Sequence, residues 1–462
     1  MNTQKNNSLG PFIVLTFIYF IVGFLTTVNG QFQGPLKIAF LSHTDELRNT
    51  LTTFISFFFF LGYLLNSSLG GKWINVHGYK KTLLRALSIM VIGLLMYSLS
   101  SWLVVHYGDA RILIFKDQVP YGYFIFLLGS YLMGTSAALL QVVINPYIAA
   151  YELPNTQPVQ RINIVCAINS FGTTIAPFFV TGIIFAGVTL ESVTADQLMF
   201  PFLMITLCII ITTLITSRLN LPDIQGTRVD NNNKPKHSIW SYQHLSLGVI
   251  ALFFYVGAEV SIGVNINLHA MELIENGHRF FCFGKSHIVV WGLDLGIPAL
   301  LATLYWGGLM VGRLIFSFFN NVSPRILLTV TTIIATILIL VAILTNNLWI
   351  LVSVGLCHSV MWGCIFTLAI KGLQQYTSKA SGILMMGVFG GAIFPVLQGI
   401  LADTWGSWQW TWIIALICEL VMPFPDHILK TYPKYNNHDV SISCLHRNRT
   451  CLIYFYVFIH DS

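Results

Sequence analysis

The sequence predicts an all-α membrane protein of about twelve spans, arranged as two six-helix bundles. Three observations carry this expectation: scarce charge, long uncharged apolar runs, and a polar stretch near the middle. Of 462 residues, 55% are hydrophobic and only 9% are charged, whereas a soluble domain carries about 25% charged residues. Runs such as 11–28 and 326–345 hold no charge, and a run of about 20 apolar residues spans the hydrocarbon core. In lipid such a run must be helical, because nothing there satisfies exposed backbone polar groups.

The runs place spans at roughly 11–36, 51–70, 82–106, 121–150, 162–188 and 198–216. A linker follows from 217 to 244, rich in Asn, Lys and Asp. Further spans fall at roughly 245–271, 296–319, 325–345, 348–373, 379–402 and 408–422. The domain expectation is therefore a bundle over 1–216, a cytoplasmic linker over 217–244, a second bundle over 245–425 and an atypical tail over 426–462. The first run is long, lacks a clear small-residue cleavage site and precedes further spans, so it reads as a retained helix.

Orientation follows from basic residues in short loops. Lys72, Lys80, Lys81 and Arg85, then Arg161, then Arg218, Arg228, Lys234 and Lys236, then Arg313 and Arg325, then Lys371 and Lys379, fall in alternate loops. These loops share one side, expected to be cytoplasmic, and with Lys5 they put the N-terminus inside. The net charge of +6 is spread through these short loops, so no nucleic-acid partner is expected. The eight cysteines show no metal-ligand spacing, and Cys166, Cys208, Cys357, Cys364 and Cys418 read as small core hydrophobes. An enzyme would need paired carboxylates, a metal cluster or an activated nucleophile in one cavity, and none is legible; nor is any cofactor.

The two halves look like copies. Phe171-Gly172-Thr173-Thr174-Ile175-Ala176-Pro177 in the fifth span and Phe389-Gly390-Gly391-Ala392-Ile393-Phe394-Pro395 in the eleventh share the pattern Phe-Gly-x-x-Ile-x-Pro. Val22-Gly23 and Val256-Gly257 match in the first and seventh spans. Corresponding positions imply two bundles about a pseudo-two-fold axis along the membrane normal, able to rock about a site held between them.

The polar residues inside spans are the candidate chemistry, because burying them unpaired costs free energy. Asn29, Gln31 and Gln33 lie in the first span, Gln141 and Asn145 in the fourth, Asn163 and Asn169 in the fifth. Amides both donate and accept, which suits a neutral polyhydroxyl ligand; each could equally serve a helix–helix hydrogen bond. Trp306 and Trp362 offer flat apolar faces for sugar C–H groups, or interfacial packing. Glu259 in the seventh span is the sharpest signal, since a carboxylate in an apolar span is by default a functional hypothesis. It could carry a coupling proton, accept from a sugar hydroxyl, help hold sodium, or pair structurally with an Arg or Trp.

The loop from Gly71 through Lys72, Trp73, Ile74, Asn75, Val76, His77, Gly78 and Tyr79 to Lys80 and Lys81 resembles the major facilitator loop signature, with Asn75 where the acid usually stands. Gly312-Arg313 is a degenerate echo in the second half. The resemblance implies gating roles for Gly71, Asn75, Gly78, Lys80, Lys81 and Arg313; a plain topogenic loop is the alternative.

Longer motifs make the resemblance more specific. Leu140-Gln141-Val142-Val143-Ile144-Asn145-Pro146-Tyr147, Arg161-Ile162-Asn163 and Asn169 through Pro177 resemble the fucose permease family, and within it the bacterial glucose/galactose transporter branch. Tyr255 through Gly263, Tyr305-Trp306-Gly307-Gly308, Ile365 through Ile370, and Gly390 through Asp403 fit the same branch. The resemblance implies the twelve-helix major facilitator fold and a monomeric hexose importer of the bacterial inner membrane, driven by H+ or Na+, with lipid as its surroundings. It implies Asn29, Gln141, Asn145, Asn163, Asn169 and Glu259 as cavity residues, with Glu259 the remaining candidate for coupling and Trp362, from the reading above, a candidate sugar-facing residue. An exporter or carrier of another small polar solute, and a membrane sugar sensor, are the alternatives. One departure matters: the family's first span reads Leu-Asn-Asp, and here Val28-Asn29-Gly30 lacks that carboxylate. The last span stops at Pro423-Phe424-Pro425, and the tail after it reads as a shifted frame.

Overall fold

The first crossing is a bent helix, α1 over Leu9–Gln31 followed by α2 over Gln33–Ala39, with Phe32 at the joint. The structure, a computed structural model, describes residues 9–44, 46–108, 110–114, 116–151, 158–180, 184, 193–221, 239–280, 288–290, 293–316, 322–371, 373 and 377–422. The tail from Pro425 to Ser462 is a separate unit and lies outside them.

The second and third spans form one continuous helix, α3 over Arg48–His106. The loop expected at 71–81 is helical, and the break is confined to Gly78, at φ 79° and ψ 170°. That left-handed φ is cheap only for glycine. A helical connection satisfies its own backbone, so no long loop is needed. The later spans are α4 (Tyr121–Ala150), α5 (Pro158–Phe179), α6 (Asp196–Arg218), α7 (Gln243–Glu275), α8 (Ile297–Phe316), α9 (Pro324–Thr345) and α10 (Leu348–Ile370). The eleventh crossing is split into α11 (Thr377–Gly387) and α12 (Gly390–Trp405) at Val388-Phe389, and the last is a 3-10 turn over Gln409–Trp412 running into α13 (Ile413–Val421). Among the described residues ten helices are long and apolar enough to cross a membrane, and the shorter apolar helices Ile164–Phe179 and Gln409–Val421 bring the crossings to twelve.

Local chemistry sets several ends. Ser323 accepts from the Ile326 amide with Pro324 opening α9, and Asn346 ends it in the left-handed region. Asn347 caps α10 through the Trp349 amide, and Gly406 ends α12 at φ 67°. Two antiparallel hairpins join crossings: β1 (Arg111–Ile114) with β2 (Asp117–Pro120), and β3 (Ile288–Val290) with β4 (Leu293–Leu295). The span reading gave neither, because ladders of three or four residues carry no periodicity that distinguishes them from loop.

Within the first half α1 packs on α4 and α5, and α3 on α4 and α6; within the second, α7 packs on α8, α10, α12 and α13. The halves meet where α5 lies on α8 and where α3 lies on α11 and α12. The repeated glycines explain the tightness. A Cβ on Gly172 would lie 2.7 Å from the Phe20 carbonyl oxygen of α1, and one on Gly390 1.7 Å from the Phe253 carbonyl oxygen of α7. The shared motif thus marks the same close crossing in each half.

Candidate functional site

A cavity of about 20 Å³ lies where the halves meet, lined by Thr26, Asn29 and Gly30 from α1, Ser56 and Phe60 from α3, Val260 and Val264 from α7, and Trp306 from α8. That volume holds about one water, far below the roughly 300 Å³ or more of a small-molecule site. The halves are closed around it from both ends. At one end the Asp403 carboxylate of α12 accepts from the Asn49 and Thr50 amides (3.1 and 2.8 Å) and from the Thr50 hydroxyl (2.6 Å), capping α3 from the other half. At the opposite end Arg313 of α8 donates to the Ser170 hydroxyl of α5 and, through Nε, to the Ser359 carbonyl at 3.2 Å. Between them Gln31 donates to the Gly263 carbonyl at 3.4 Å, and Thr174 to the Trp306 carbonyl at 3.3 Å.

The first half contributes a polar seam along α1. Asn29 is buried and accepts from the hydroxyls of Tyr97 and Ser130, the latter at 2.9 Å. Gln141 donates to the Tyr63 hydroxyl at 2.9 Å. Asn145 lies against the Tyr19 hydroxyl, and Asn169 donates to the Tyr19 carbonyl at 2.7 Å. The side chain of Asn163 lies outside the described residues. In this closed form the Asn29, Gln141 and Asn169 amides make helix–helix bonds, and only Asn29 borders the cavity. Trp362 is half-buried, its ring 6.4 Å from that of Tyr255, away from the cavity wall.

The second half carries acids within its crossings, Glu259 in α7 and Glu419 in α13. Glu259 is partly exposed and accepts from the Tyr255 hydroxyl at 2.8 Å. Among the described residues the ion pairs within 4.0 Å are Lys116–Glu46 and His358–Glu419, both at 2.7 Å, so no cation pairs with Glu259. The Tyr305 hydroxyl lies 3.1 Å from the Glu259 carbonyl and 2.7 Å from His358 Nδ1, and His358 Nε2 lies 2.7 Å from Glu419 Oε1.

Of the loop residues assigned to gating, Gly78 makes the break in α3, and Lys80 donates to the Leu219 carbonyl at 2.8 Å, past the end of α6 and within its own half. Lys81 is exposed, Gly71 is uncrowded, and the Asn75 side chain lies outside the description. Arg313 is the member of that set whose described contacts cross between halves. Sequence reasoning missed His358, Glu419 and the capping role of Asp403. The first two carried the same signal as Glu259, a titratable side chain inside an apolar run.

No family model matches the chain. A curated relative does: the glucose/galactose transporter of Brucella abortus biovar 1 (strain 9-941) is 31% identical over 429 residues, 92% of this chain and 94% of the relative. The chain belongs to the glucose/galactose transporter family. This family member is also similar to the L-fucose-proton symporter of Escherichia coli K12, at 23% identity over 452 residues, 91% of this chain and 93% of the relative. A crystal structure of the major facilitator superfamily transporter FucP, in the outward conformation, superposes with a TM-score of 0.60 at 20% identity, covering 89% of this chain and 96% of that one. The glucose/galactose family member thus has the twelve-helix major facilitator fold, two six-helix bundles about a pseudo-two-fold axis, and is a multi-pass membrane transporter, not an enzyme.

Proposed function

We propose that this protein imports a neutral hexose across the bacterial inner membrane by alternating access, coupled to H+ or Na+. The observation that supports it most is the composition of the interface. A carboxyl with no ion-pair partner among the described residues, Glu259, is next in sequence to Val260 of a cavity shared by both halves, and Thr26, Thr27, Ser56 and Asn29 line that cavity among apolar side chains with no charged group. A polyhydroxyl solute exchanges hydrogen bonds with such groups at little cost, while a charged solute would lack a counter-ion. The names of the relatives fit: glucose/galactose transporter and L-fucose-proton symporter.

On this reading the halves are residues 1–216 and 245–425 joined by the linker 217–244, and they act as one monomer in lipid. The end carrying Lys80, Arg161, Arg218 and Arg313 faces the cytoplasm, with the N-terminus on that side, because basic residues are retained there. Sugar enters when the Asp403 end opens and leaves when the Arg313 end opens. Uptake of labelled glucose, galactose and fucose into proteoliposomes, with imposed proton or sodium gradients, tests the proposal. Accumulation of one hexose above equilibrium under one gradient is expected; no hexose uptake under any gradient would overturn it.

A further inference from the structure

We propose that the buried His358–Glu419 pair is a protonation site of this transporter, and that the Tyr305 hydroxyl reports its state to α7 at Glu259. The pair is wholly buried, both side chains at 0% exposure, and joins α10 to α13. Glu419 Oε2 has no partner among the described residues. A buried histidine–carboxylate contact built only for packing is weak grounds for stability, so its presence asks for another use.

Counting protons shows what the geometry allows. Without an extra proton, His358 is neutral, its Nε2–H donates to the Glu419 carboxylate, and Nδ1 accepts from the Tyr305 hydroxyl at 2.7 Å. With one more proton on the pair, Glu419 becomes a carboxylic acid that donates to Nε2, the ring hydrogen sits on Nδ1, and Nδ1 donates to the Tyr305 oxygen. The single Tyr305 hydrogen must then turn away, and the Glu259 carbonyl, 3.1 Å distant, is its other acceptor. One hydroxyl therefore has two settings, selected by one proton. Tyr255 ties the same places together, bonding the Glu259 carboxyl at 2.8 Å and the His358 carbonyl at 3.0 Å. Tyr305 adjoins Trp306, which lines the cavity and donates to the Gly263 carbonyl of α7 at 3.2 Å.

The groups facing the pair are few. α7 brings Tyr255 and Glu259, α8 brings Tyr305 and, two turns on, Arg313; α13 adds Cys418, and α10 itself Cys357. α9 contributes only Arg325, exposed at its start, and α11 no described titratable side chain. Among the described residues no lysine or arginine forms an ion pair with Glu419, which leaves a proton to balance its charge. This gives the chain a carboxyl with a proton partner although Gly30 leaves the first span without one.

The transport role rests on the cation-coupled reading above; the titration does not. The test is a pH-jump infrared difference spectrum of the full-length protein in lipid, without sugar. A carboxyl signal is expected that disappears in Glu419→Gln and shifts in Tyr305→Phe, which keeps the ring and removes only the hydroxyl. A spectrum unchanged in Glu419→Gln overturns the inference whatever the transport result. Adding hexose to the same sample should move that signal in the parent and leave it still in Tyr305→Phe; movement surviving in Tyr305→Phe overturns the reporting role. Hexose binding read by tryptophan fluorescence separates the two proposals: a parent protein that binds no hexose removes the proposed function while the sugar-free titration still stands or falls alone.

Discussion

Glu259 takes its hydrogen bond from Tyr255 and has no cation within ion-pair distance among the described residues, one residue from the cavity wall at Val260. Glu259→Gln keeps the shape and removes the charge. It is expected to abolish gradient-driven hexose accumulation while sparing exchange of sugar between equal pools; accumulation at the parent rate would remove the coupling role. Gly30 has a second consequence. A Cβ there would lie 2.7 Å from Val264 Cγ2 in the other half, so Gly30→Asp cannot close this interface unchanged. Alone it is expected to slow uptake, and with Val264→Ala it should raise proton-driven accumulation above the parent; no recovery in the double variant would argue that the site was never a coupling position. Glu259 and Asn29 were legible because a polar group in a run of apolar residues has few bland explanations. The partners were not: which tyrosine meets Asn29, and that Glu419 meets His358 across 61 positions, depends on helix rotation that a featureless apolar run does not encode.

The crossings themselves were readable from length and hydropathy, and the paired Phe-Gly-x-x-Ile-x-Pro segments told which helices repeat. Their breaks were less so. The Gly78 kink and the split at Val388-Phe389 replace an expected loop and an expected unbroken span, because helical backbone satisfies its own hydrogen bonds and can continue or break wherever packing dictates. The close crossings carry a direct prediction. Gly390→Ala sets a methyl against the Phe253 carbonyl, backbone that can move only with its helix. A loss of about 1–3 kcal/mol or more is expected from such overpacking, read as a lower melting temperature in detergent. Gly71→Ala, at a position open to space and on the same scale, should leave the melting temperature within error.

Across the whole molecule, closure rests on small polar clasps at opposite ends of one interface, Asp403 on the start of α3 and Arg313 on Ser170. A Cβ on Gly399 would come within 2.6 Å of the Thr53 hydroxyl, so cysteines at these two positions stand opposite each other. Thr53→Cys with Gly399→Cys is expected to cross-link under mild oxidation, to stop uptake, and to regain it on reduction. Uptake that persists in the cross-linked protein would show that this end need not open. Asp403→Ala removes a cap worth about 0.5–2 kcal/mol from the closed arrangement alone, and should make a cysteine at Thr53 label faster with a water-soluble thiol reagent.

A water-sized gap at the centre also sets the terms on which solute is admitted. If the closed form holds all but about one molecule in a hundred, the measured dissociation constant is about a hundredfold above that of the open form. Substitutions that never touch a ligand, such as those at Asp403, would then sharpen apparent affinity, and a survey that scored variants by affinity alone would mistake loosened hinges for better recognition.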